Sequence, residues 1–247
     1  MKLKHFLKSL FQIISHMELA EATALILAND GKQEIALFFN EVDGESGKKF
    51  IEFLVDGTQD ADQPLSGGYI LTLCHFHHPW THRGYLVGKS SADEITAIFT
   101  TATTLWQEEK TAEAIYQLGR ALHLLQDIFI PHHSGITGVK GHGELEKWLT
   151  ENWLAYQTTS GGYYQWEEDF YHQNGHQHHV SSTNPYDWID YGSHLSIEWY
   201  EQYFAVGTYD ENTFRTVAPR IVSNALRFSA GFINFFFEQA VIAAREQ

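Results

Sequence analysis

Residues 121–148 read ALHLLQDIFIPHHSGITGVKGHGELEKW and combine a helical apolar pattern with four histidines and several carboxylates. Across residues 112–130 the apolar side chains recur at alternating spacings of three and four, which indicates a helix with one face in the core. They are Ile115, Leu118, Leu122, Leu125 and Phe129. Pro131 is predicted to end this helix, and a second helix is predicted over 143–157. The stretch therefore predicts two neighbouring helices that carry many proton-binding groups.

Helical periodicity also covers most of the remaining chain, and strand patterns are few and short. The further predicted helices are roughly 5–28, 32–55, 92–108, 185–204 and 215–243. The intervening long loops, 56–91, 131–142 and 158–184, are where functional groups are expected. We predict an all-α, single-domain multi-helix bundle over residues 1–247, with long functional loops and a metal cluster in a cleft.

Composition narrows the possible functions. The chain has 247 residues, 43% of them hydrophobic, so it can bury a sizeable core. Its formal net charge of −15 argues against nucleic acid as the first-choice partner, since binding through backbone phosphates needs a Lys/Arg-rich face. The single cysteine, Cys74, excludes an intrachain disulfide and cysteine-rich zinc motifs. Any metal must therefore be held by histidine and carboxylate.

The first residues, MKLKHFLKSLFQII (1–14), have the basic and apolar character of a leader but lack its pattern. Lys8 interrupts the apolar run and no small-residue cleavage site follows, so we predict an amphipathic first helix rather than a secretory signal. No stretch reaches the roughly 18 apolar residues expected of a transmembrane helix.

Two pairs of residues at helical spacing stand out. His123 and Asp127 lie four residues apart, and His142 and Glu146 repeat that spacing on the next helix. Taken alone, each pair is more often a hydrogen-bonded structural or surface pair than a pair of metal ligands. Because two adjacent helices repeat the pattern and His133 lies between them, the joint arrangement favours a metal site of the kind built inside helix bundles.

The loop upstream adds further nitrogen and oxygen donors. It contains Asp60 and Asp62, followed by the sequence CHFHHP at 74–79, and it could close over the ligands on the helices. Nitrogen and oxygen donors without thiolate favour zinc over manganese or iron.

The segments LHLLQDIFIPHHSG (122–135) and GHGELEKWLTENW (141–153) resemble the zinc-dependent phospholipase C family, whose pattern is His-x3-Asp-x5-His followed by His-x3-Glu. The resemblance spans nearly the whole chain and falls on matched segments. They are ISHMELAEATALIL (14–27), DADQPLSGGYILTLCHFHHP (60–79) and STNPYDWIDYGSHLS (182–196). Single-strand nucleases share the same metal layout, so the motif indicates the superfamily more firmly than the substrate.

The resemblance implies two or three zinc ions per chain. One would be bound by Asp62, His75, His123 and Asp127, a second by His133, His142 and Glu146, and a third by His16 together with Asp127. In the family a mature N-terminal residue completes the third site. Leu3 stands at that position in a chain that begins with Met1, so either His5 substitutes or the start is altered or unprocessed.

The implied activity is hydrolysis of a glycerophospholipid to diacylglycerol and a phosphorylated headgroup, with Asp62 orienting or deprotonating the attacking water. The partners are then a phospholipid substrate and, transiently, a membrane surface. The alternatives are a single-strand nuclease or 3′-nucleotidase, and a non-catalytic zinc-binding relative. Family members are typically exported, although no signal is evident here. Nothing in the sequence indicates a particular oligomer, and we expect a monomer.

Other residues receive weaker predictions. In the phosphatidylcholine-cleaving members of the family that this chain resembles, two aromatic residues form a cage for the choline headgroup, and Gln63 and Thr72 stand at those two positions here. Aromatic residues elsewhere in the chain could line a headgroup site instead; these are Tyr69, Phe76, Trp80 and Tyr163. We predict that His132 neighbours the metal ligands without binding a metal. We also predict that His77, His78, His82 and the histidines between His172 and His179 are solvated loop residues, and the role of His194 is left open.

Overall fold

The computed structural model describes residues 2–62, 73–86, 88–138, 141–172, 175 and 177–245. In these ranges the chain forms nine α-helices and one hairpin. The helices are α1 Lys2–Asn29, α2 Gln33–Phe38, α3 Phe50–Asp60, α4 Ser91–Gln107, α5 Thr111–Asp127, α6 Pro131–Ser134, α7 His142–Asn152, α8 Pro185–Tyr203 and α9 Glu211–Arg245. The prediction of an all-α fold is confirmed.

Three predicted boundaries were wrong. The helix predicted over 32–55 is two helices, because Asp43 accepts hydrogen bonds from the backbone and hydroxyl of Ser46 and Gly47 adopts φ 75°, which together form a turn. The loop predicted from residue 56 begins later, since α3 continues to Asp60. Pro131 does not directly end α5 but occupies the first turn of α6, where its missing N–H costs nothing.

The loop predicted over 158–184 contains the only strands in the described residues. β1 (Glu167–Tyr171) and β2 (Gln177–Ser181) pair antiparallel, with Glu167 opposite Ser181. Val180 of β2 is fully buried, whereas most of its neighbours in the two strands are exposed or half-buried. The hairpin therefore packs against the helices with Val180 as its one fully buried side chain, while its other residues stay at least partly exposed.

α5 is the central helix, and every residue from Leu118 to Asp127 is buried. Two glycines allow the backbone of α5 to cross α3 in direct contact. A Cβ placed on Gly57 would lie 2.1 Å from the carbonyl oxygen of Tyr116, and one on Gly119 would lie 2.1 Å from that of Leu54. The two backbones therefore touch, which brings the C-terminal end of α3 beside the second half of α5.

An aromatic layer covers another side of α5. The ring of Trp188 in α8 packs against Phe228 and Phe232 of α9, at 6.0 and 5.5 Å between ring centroids, and Phe129 contacts Phe228 at 4.9 Å. Buried aromatic pairs in such edge-to-face arrangements add to the free energy gained from burial alone. None of the helices in the described part of the chain has the length and apolarity needed to cross a bilayer.

Candidate metal centre

The C-terminal half of α5 carries the centre of the site. His123 and Asp127 are one turn apart and almost completely buried, and His123 Nε2 lies 3.3 Å from Asp127 Oδ2. His123 Nδ1 donates a hydrogen bond to the carbonyl oxygen of Thr58 in α3, at 3.0 Å. This bond crosses the close α3–α5 contact and fixes the ring, so that Nε2 points toward Asp127 and toward Asp62, whose Oδ1 is 3.4 Å away.

α1 contributes one imidazole from the opposite side. His16 Nε2 lies 3.2 Å from Asp127 Oδ1, and His16 Nδ1 donates to Oε1 of Gln126 at 2.8 Å. The rings of His16 and His123 lie 4.2 Å apart between centroids. The two oxygens of Asp127 therefore face different sets of imidazoles, an arrangement in which one carboxylate can bridge two ions.

The short 3-10 turn Leu73–His75 supplies the next group. His75 Nδ1 lies 2.7 Å from Asp127 Oδ2 and 3.8 Å from Asp62 Oδ1. Asp62 follows directly after α3, and its side chain is 21% exposed, against 3% for His75. Asp62 is thus the carboxylate of this group that solvent or a substrate can reach.

The second half of the site lies between α6 and α7. His133 Nδ1 donates to the carbonyl oxygen of His75 at 2.8 Å, and its Nε2 approaches His142 Nε2 to 2.9 Å. Glu146 Oε1 lies 2.8 Å from His142 Nε2 and 3.7 Å from His133 Nε2. Burial raises the pKa of Glu146, but its interactions with the imidazoles of His133 and His142 outweigh burial and bring the pKa to about 2.

The two aspartates are also held in their ionised form. Burial raises the pKa of Asp62, but the charges of His123 and His75 outweigh it, so the pKa lies well below its usual value. Burial also raises the pKa of Asp127, and His133 and His123 lower it further than burial raises it. Ionised carboxylates in a buried site are the natural partners of cations.

The orientation of three imidazoles shows that the residues present fit zinc. His16, His123 and His133 each donate from Nδ1 to a protein oxygen. A neutral ring held in this way carries its lone pair on Nε2, and in each case Nε2 points into the cluster. His123 Nε2 is buried and has no hydrogen-bond partner in the structure. The donor set contains nitrogen and oxygen without thiolate, which zinc accepts readily.

The structure brings all eight residues predicted as metal ligands into this one cluster. Their ligand atoms form three groups, each within 4.8 Å: His16, His123 and Asp127; Asp62, His75 and His123; and His133, His142 and Glu146. Asp60, also considered from the sequence, instead accepts a hydrogen bond from the hydroxyl of Tyr116 at 3.0 Å. Leu3 lies on α1, but its side chain and that of His5 lie outside the described residues.

The cluster forms one wall of a cavity of about 250 Å³. The other wall is apolar and is formed by Leu19, Leu149, Trp153, Ile221, Val222 and Ala225. Trp153 is fixed by a hydrogen bond from its Nε1 to Oε2 of Glu18, at 2.6 Å. The cavity is therefore lined both by possible cation ligands and by apolar side chains.

Only one of the aromatic residues considered for the headgroup site is seen to line the cavity in the described residues. Phe76 lines the cavity and stacks on His133 at 4.7 Å between centroids. Trp80 packs against His194, and Tyr163 packs against Phe228, so both rings are engaged elsewhere. Gln63, Tyr69 and Thr72 lie outside the described residues.

The prediction of solvated loop histidines was wrong for several of them. His77 is fully buried, with Nε2 2.7 Å from Asp190 Oδ1 in α8, and His78 is half-buried. His82 is exposed as predicted and His178 is half-buried, and both point toward Asp190, as His77 and His194 do. His179 is exposed as predicted, and His176 lies outside the described residues.

Sequence reasoning missed the groups that orient the ligands. Gln126 holds His16 and also donates to the hydroxyl of Ser229 at 3.4 Å, yet a glutamine within a helix has no distinctive pattern. The carbonyl oxygens of Thr58 and His75 act through the backbone, so no side-chain motif could reveal them. His132 was predicted to neighbour the ligands, and it is fully buried with its ring 4.7 Å from that of Phe204.

Comparisons with known proteins agree with this geometry. A family model described as zinc dependent phospholipase C matches residues 15–211. A phospholipase C of Listeria monocytogenes is 34% identical over 125 residues, which cover 49% of this chain and 40% of that protein. The chain thus spans less than half the length of this curated relative.

Two solved structures have the same fold. The alpha toxin of Clostridium absonum matches with a TM-score of 0.65 at 16% identity, over 90% of this chain and 62% of the toxin chain. The alpha-toxin of an avian strain of Clostridium perfringens matches with a TM-score of 0.66 at 16% identity, over 91% of this chain and 63% of the toxin chain. Both toxin chains extend well beyond the matched region.

Proposed function

Because the chain belongs to the zinc-dependent phospholipase C family, we propose that it hydrolyses glycerophospholipids to diacylglycerol and a phosphorylated headgroup. The observation that carries this proposal is the orientation of His16, His123 and His133. Each is anchored through Nδ1, and each turns Nε2 toward ionised carboxylates beside a cavity. In the reaction, water adds to phosphorus and the bond between phosphorus and the glycerol oxygen breaks.

The three groups of ligand atoms would hold the metal. Asp62, His75, His123 and Asp127 would hold one zinc ion, and His133, His142 and Glu146 a second. His16 with the other oxygen of Asp127 would contribute to a third. Zinc in such a site supplies Lewis-acid activation of water and stabilises negative charge on phosphoryl oxygens.

Asp62 is the residue that we propose to act on the attacking water. It is the most exposed of the three carboxylates, and it is ionised at neutral pH, so it can accept a hydrogen bond or a proton from water in the cavity. His16 donates from Nδ1 to the Gln126 side chain, and His123 and His133 donate from Nδ1 to the backbone carbonyl oxygens of Thr58 and His75, so that Nε2 of each ring is aimed inward.

The apolar wall favours a lipid over a nucleotide substrate. Leu149, Ile221 and Val222 give the same cavity an aliphatic surface, which suits the glycerol and the first acyl methylenes of a phospholipid. The net charge of −15 gives no attraction to phosphate-rich nucleic acid. We propose that contact with a lipid surface is transient, since the same charge disfavours lasting attachment to anionic membranes.

One panel of substrates tests the proposal. Phosphatidylcholine, phosphatidylethanolamine, single-stranded DNA and a phosphate monoester are each incubated with the protein, with and without a chelator. Hydrolysis of a phospholipid that the chelator abolishes is expected. Turnover of DNA or the monoester alone would replace the proposal with a nuclease or nucleotidase, and no turnover of any substrate would support a non-catalytic relative.

Two variants test the residues assigned. Asp62→Asn and His142→Ala should both lose phospholipid hydrolysis, and His142→Ala should also lose bound zinc. His179→Ala is the matched control, because this histidine is exposed and lies outside the cavity. Full activity with a normal zinc content in either of the first two variants would remove that residue from the mechanism.

A further inference from the structure

A second cluster of histidines surrounds a buried carboxylate in α8. The helix begins at Pro185, where Asn184 accepts a hydrogen bond from the backbone N–H of Tyr186, and Asp190 follows in the second turn with no exposed surface. An ionised side chain in this position needs compensating partners. Asp190 is not among the residues that line the cavity.

Four imidazoles supply those partners from three separate parts of the chain. His77 Nε2 lies 2.7 Å from Asp190 Oδ1, and His82 Nδ1 lies 3.4 Å from the same oxygen. His178 of β2 forms a short contact with Asp190 Oδ2 through Nε2, and His194 Nε2 lies 3.9 Å from that oxygen. His77 and Asp190 are 113 residues apart in the sequence.

Ion pairing alone does not explain so many rings around one carboxylate. One Asp190 balances one positive charge, so a single protonated histidine would suffice. His194 is 3% exposed, and its Nε2 faces Asp190 without a hydrogen-bond partner in the structure. A buried nitrogen left in this way carries a free-energy cost that a bound cation would remove.

Packing fixes the orientation of the deepest ring. Phe170 of β1 stacks on His194 with 3.8 Å between centroids and 7° between planes, and Trp80 packs edge-on against it at 4.3 Å. The ring is therefore clamped with Nε2 toward Asp190. A rigid imidazole supported by close packing is the usual setting of a metal ligand.

We propose that His178, Asp190 and His194 form a second metal site, separate from the cavity, for one divalent transition ion, while His77 and His82 hold the other oxygen of Asp190. The donor set of nitrogen and one carboxylate suits zinc. Bonds of about 2.0–2.1 Å in tetrahedral geometry place ligand atoms roughly 3.3 Å apart. The ligand atoms of His178, Asp190 and His194 already lie within 4.8 Å of one another.

The site has a structural consequence for the cavity. Its ion would join the hairpin to α8 through His178 and Asp190. The other oxygen of Asp190 contacts His77 of the 73–86 segment, two residues after the cavity residue His75. The backbone N–H of His77 also donates to the carbonyl oxygen of His133, at 3.2 Å. The second ion therefore holds the segment from which His75 reaches the cavity, without itself facing the substrate.

Zinc content separates the two sites. The intact chain, His178→Ala and His179→Ala are stripped of metal, reloaded with zinc, dialysed and analysed for zinc per chain. His178 and His179 are neighbours on β2, and only His178 faces Asp190, because His179 pairs with Asp169 on the exposed side. We expect His178→Ala to lose one zinc ion relative to the intact chain, and His179→Ala to lose none.

Equal zinc content in the two variants would overturn the proposal. If His178→Ala does not fold, diffraction from the intact zinc-loaded protein at the zinc absorption edge decides the question. An anomalous peak bonded to Asp190 and His194 supports the site, and zinc peaks confined to the cavity overturn it. A cavity without zinc but with a peak at Asp190 would contradict the proposed function while leaving the second site in place.

Discussion

Replacing Gly119 with alanine tests whether the contact between α3 and α5 positions the metal ligands. The added Cβ would lie 2.1 Å from the carbonyl oxygen of Leu54 and 3.1 Å from the Cα of Gly57. A carbon and an oxygen approach each other to about 3.3 Å at closest in weak hydrogen-bonded contact. The two backbones must therefore separate by about 1.2 Å at this point, and no flexible side chain can absorb the change.

This separation would be transmitted to the site within one turn of helix. The hydrogen bond from His123 Nδ1 to the carbonyl oxygen of Thr58 is 3.0 Å long and crosses the same contact. An extension of about 1 Å takes it beyond hydrogen-bonding range. His123 then loses the partner that fixes its tautomer, and Asp62 at the end of α3 moves away from the α5 ligands.

The change in the free energy of unfolding of Gly119→Ala is the sum of three contributions. Overpacking costs about 1–3 kcal/mol, and the lost hydrogen bond costs about 0.5–1.5 kcal/mol. The better helix propensity of alanine returns up to about 1 kcal/mol. We expect Gly119→Ala to lower the free energy of unfolding by about 2–3 kcal/mol, measured by denaturant titration, and to lower zinc per chain.

The control is Gly44→Ala, because a Cβ at Gly44 meets no atom within 4 Å. This variant should remain within about 0.5 kcal/mol of the parent chain and bind the same amount of zinc. If Gly119→Ala matched the parent chain in both stability and zinc content, the helix contact would not position the ligands as argued.

Three further predictions address other parts of the molecule. Asp30→Asn should lower the free energy of unfolding by about 1–3 kcal/mol, since Asp30 accepts hydrogen bonds from Tyr164 Oη at 2.6 Å and from two backbone N–H groups. Burial raises the pKa of Asp30, but these bonds lower it below the usual value. The difference in free energy of unfolding between the parent chain and Asp30→Asn should therefore be complete above about pH 4 and should shrink as the pH falls through the lowered pKa of Asp30. A difference that stays constant with pH in chemical unfolding would contradict this. Ser90→Ala should cost about 1 kcal/mol in a melting experiment, because Ser90 caps α4 by accepting from the backbone N–H of Asp93, and an unchanged melting temperature would exclude that role. His142→Ala should lower phospholipid turnover by about 100-fold or more at saturating zinc, and a loss below tenfold would show that this ligand is dispensable.

The sequence predicted the helices well wherever one face is continuously apolar. α5 and α9 were located within a few residues of their observed bounds, because burial of an apolar stripe dictates their periodicity. The pairs His123 with Asp127 and His142 with Glu146 could also be paired by spacing alone. Such short-range geometry is fixed by the helix itself.

Contacts between distant segments could not be read from periodicity. The touching of Gly57 and Gly119 depends on how two helices cross, and each glycine alone looks like an unremarkable helix interruption. His77 resembled a solvated loop residue, because its partner Asp190 lies more than 100 residues away in the sequence. Local polarity predicts exposure only when no distant partner is folded against the segment.

The central claim is that zinc held by the cavity residues is required for phospholipid hydrolysis. The most direct test is to measure diacylglycerol release by metal-stripped protein while zinc is added back, in the parent chain and in His142→Ala. We expect no release without zinc, recovery with added zinc in the parent chain, and little recovery in the variant. Undiminished release by the metal-stripped protein would contradict it.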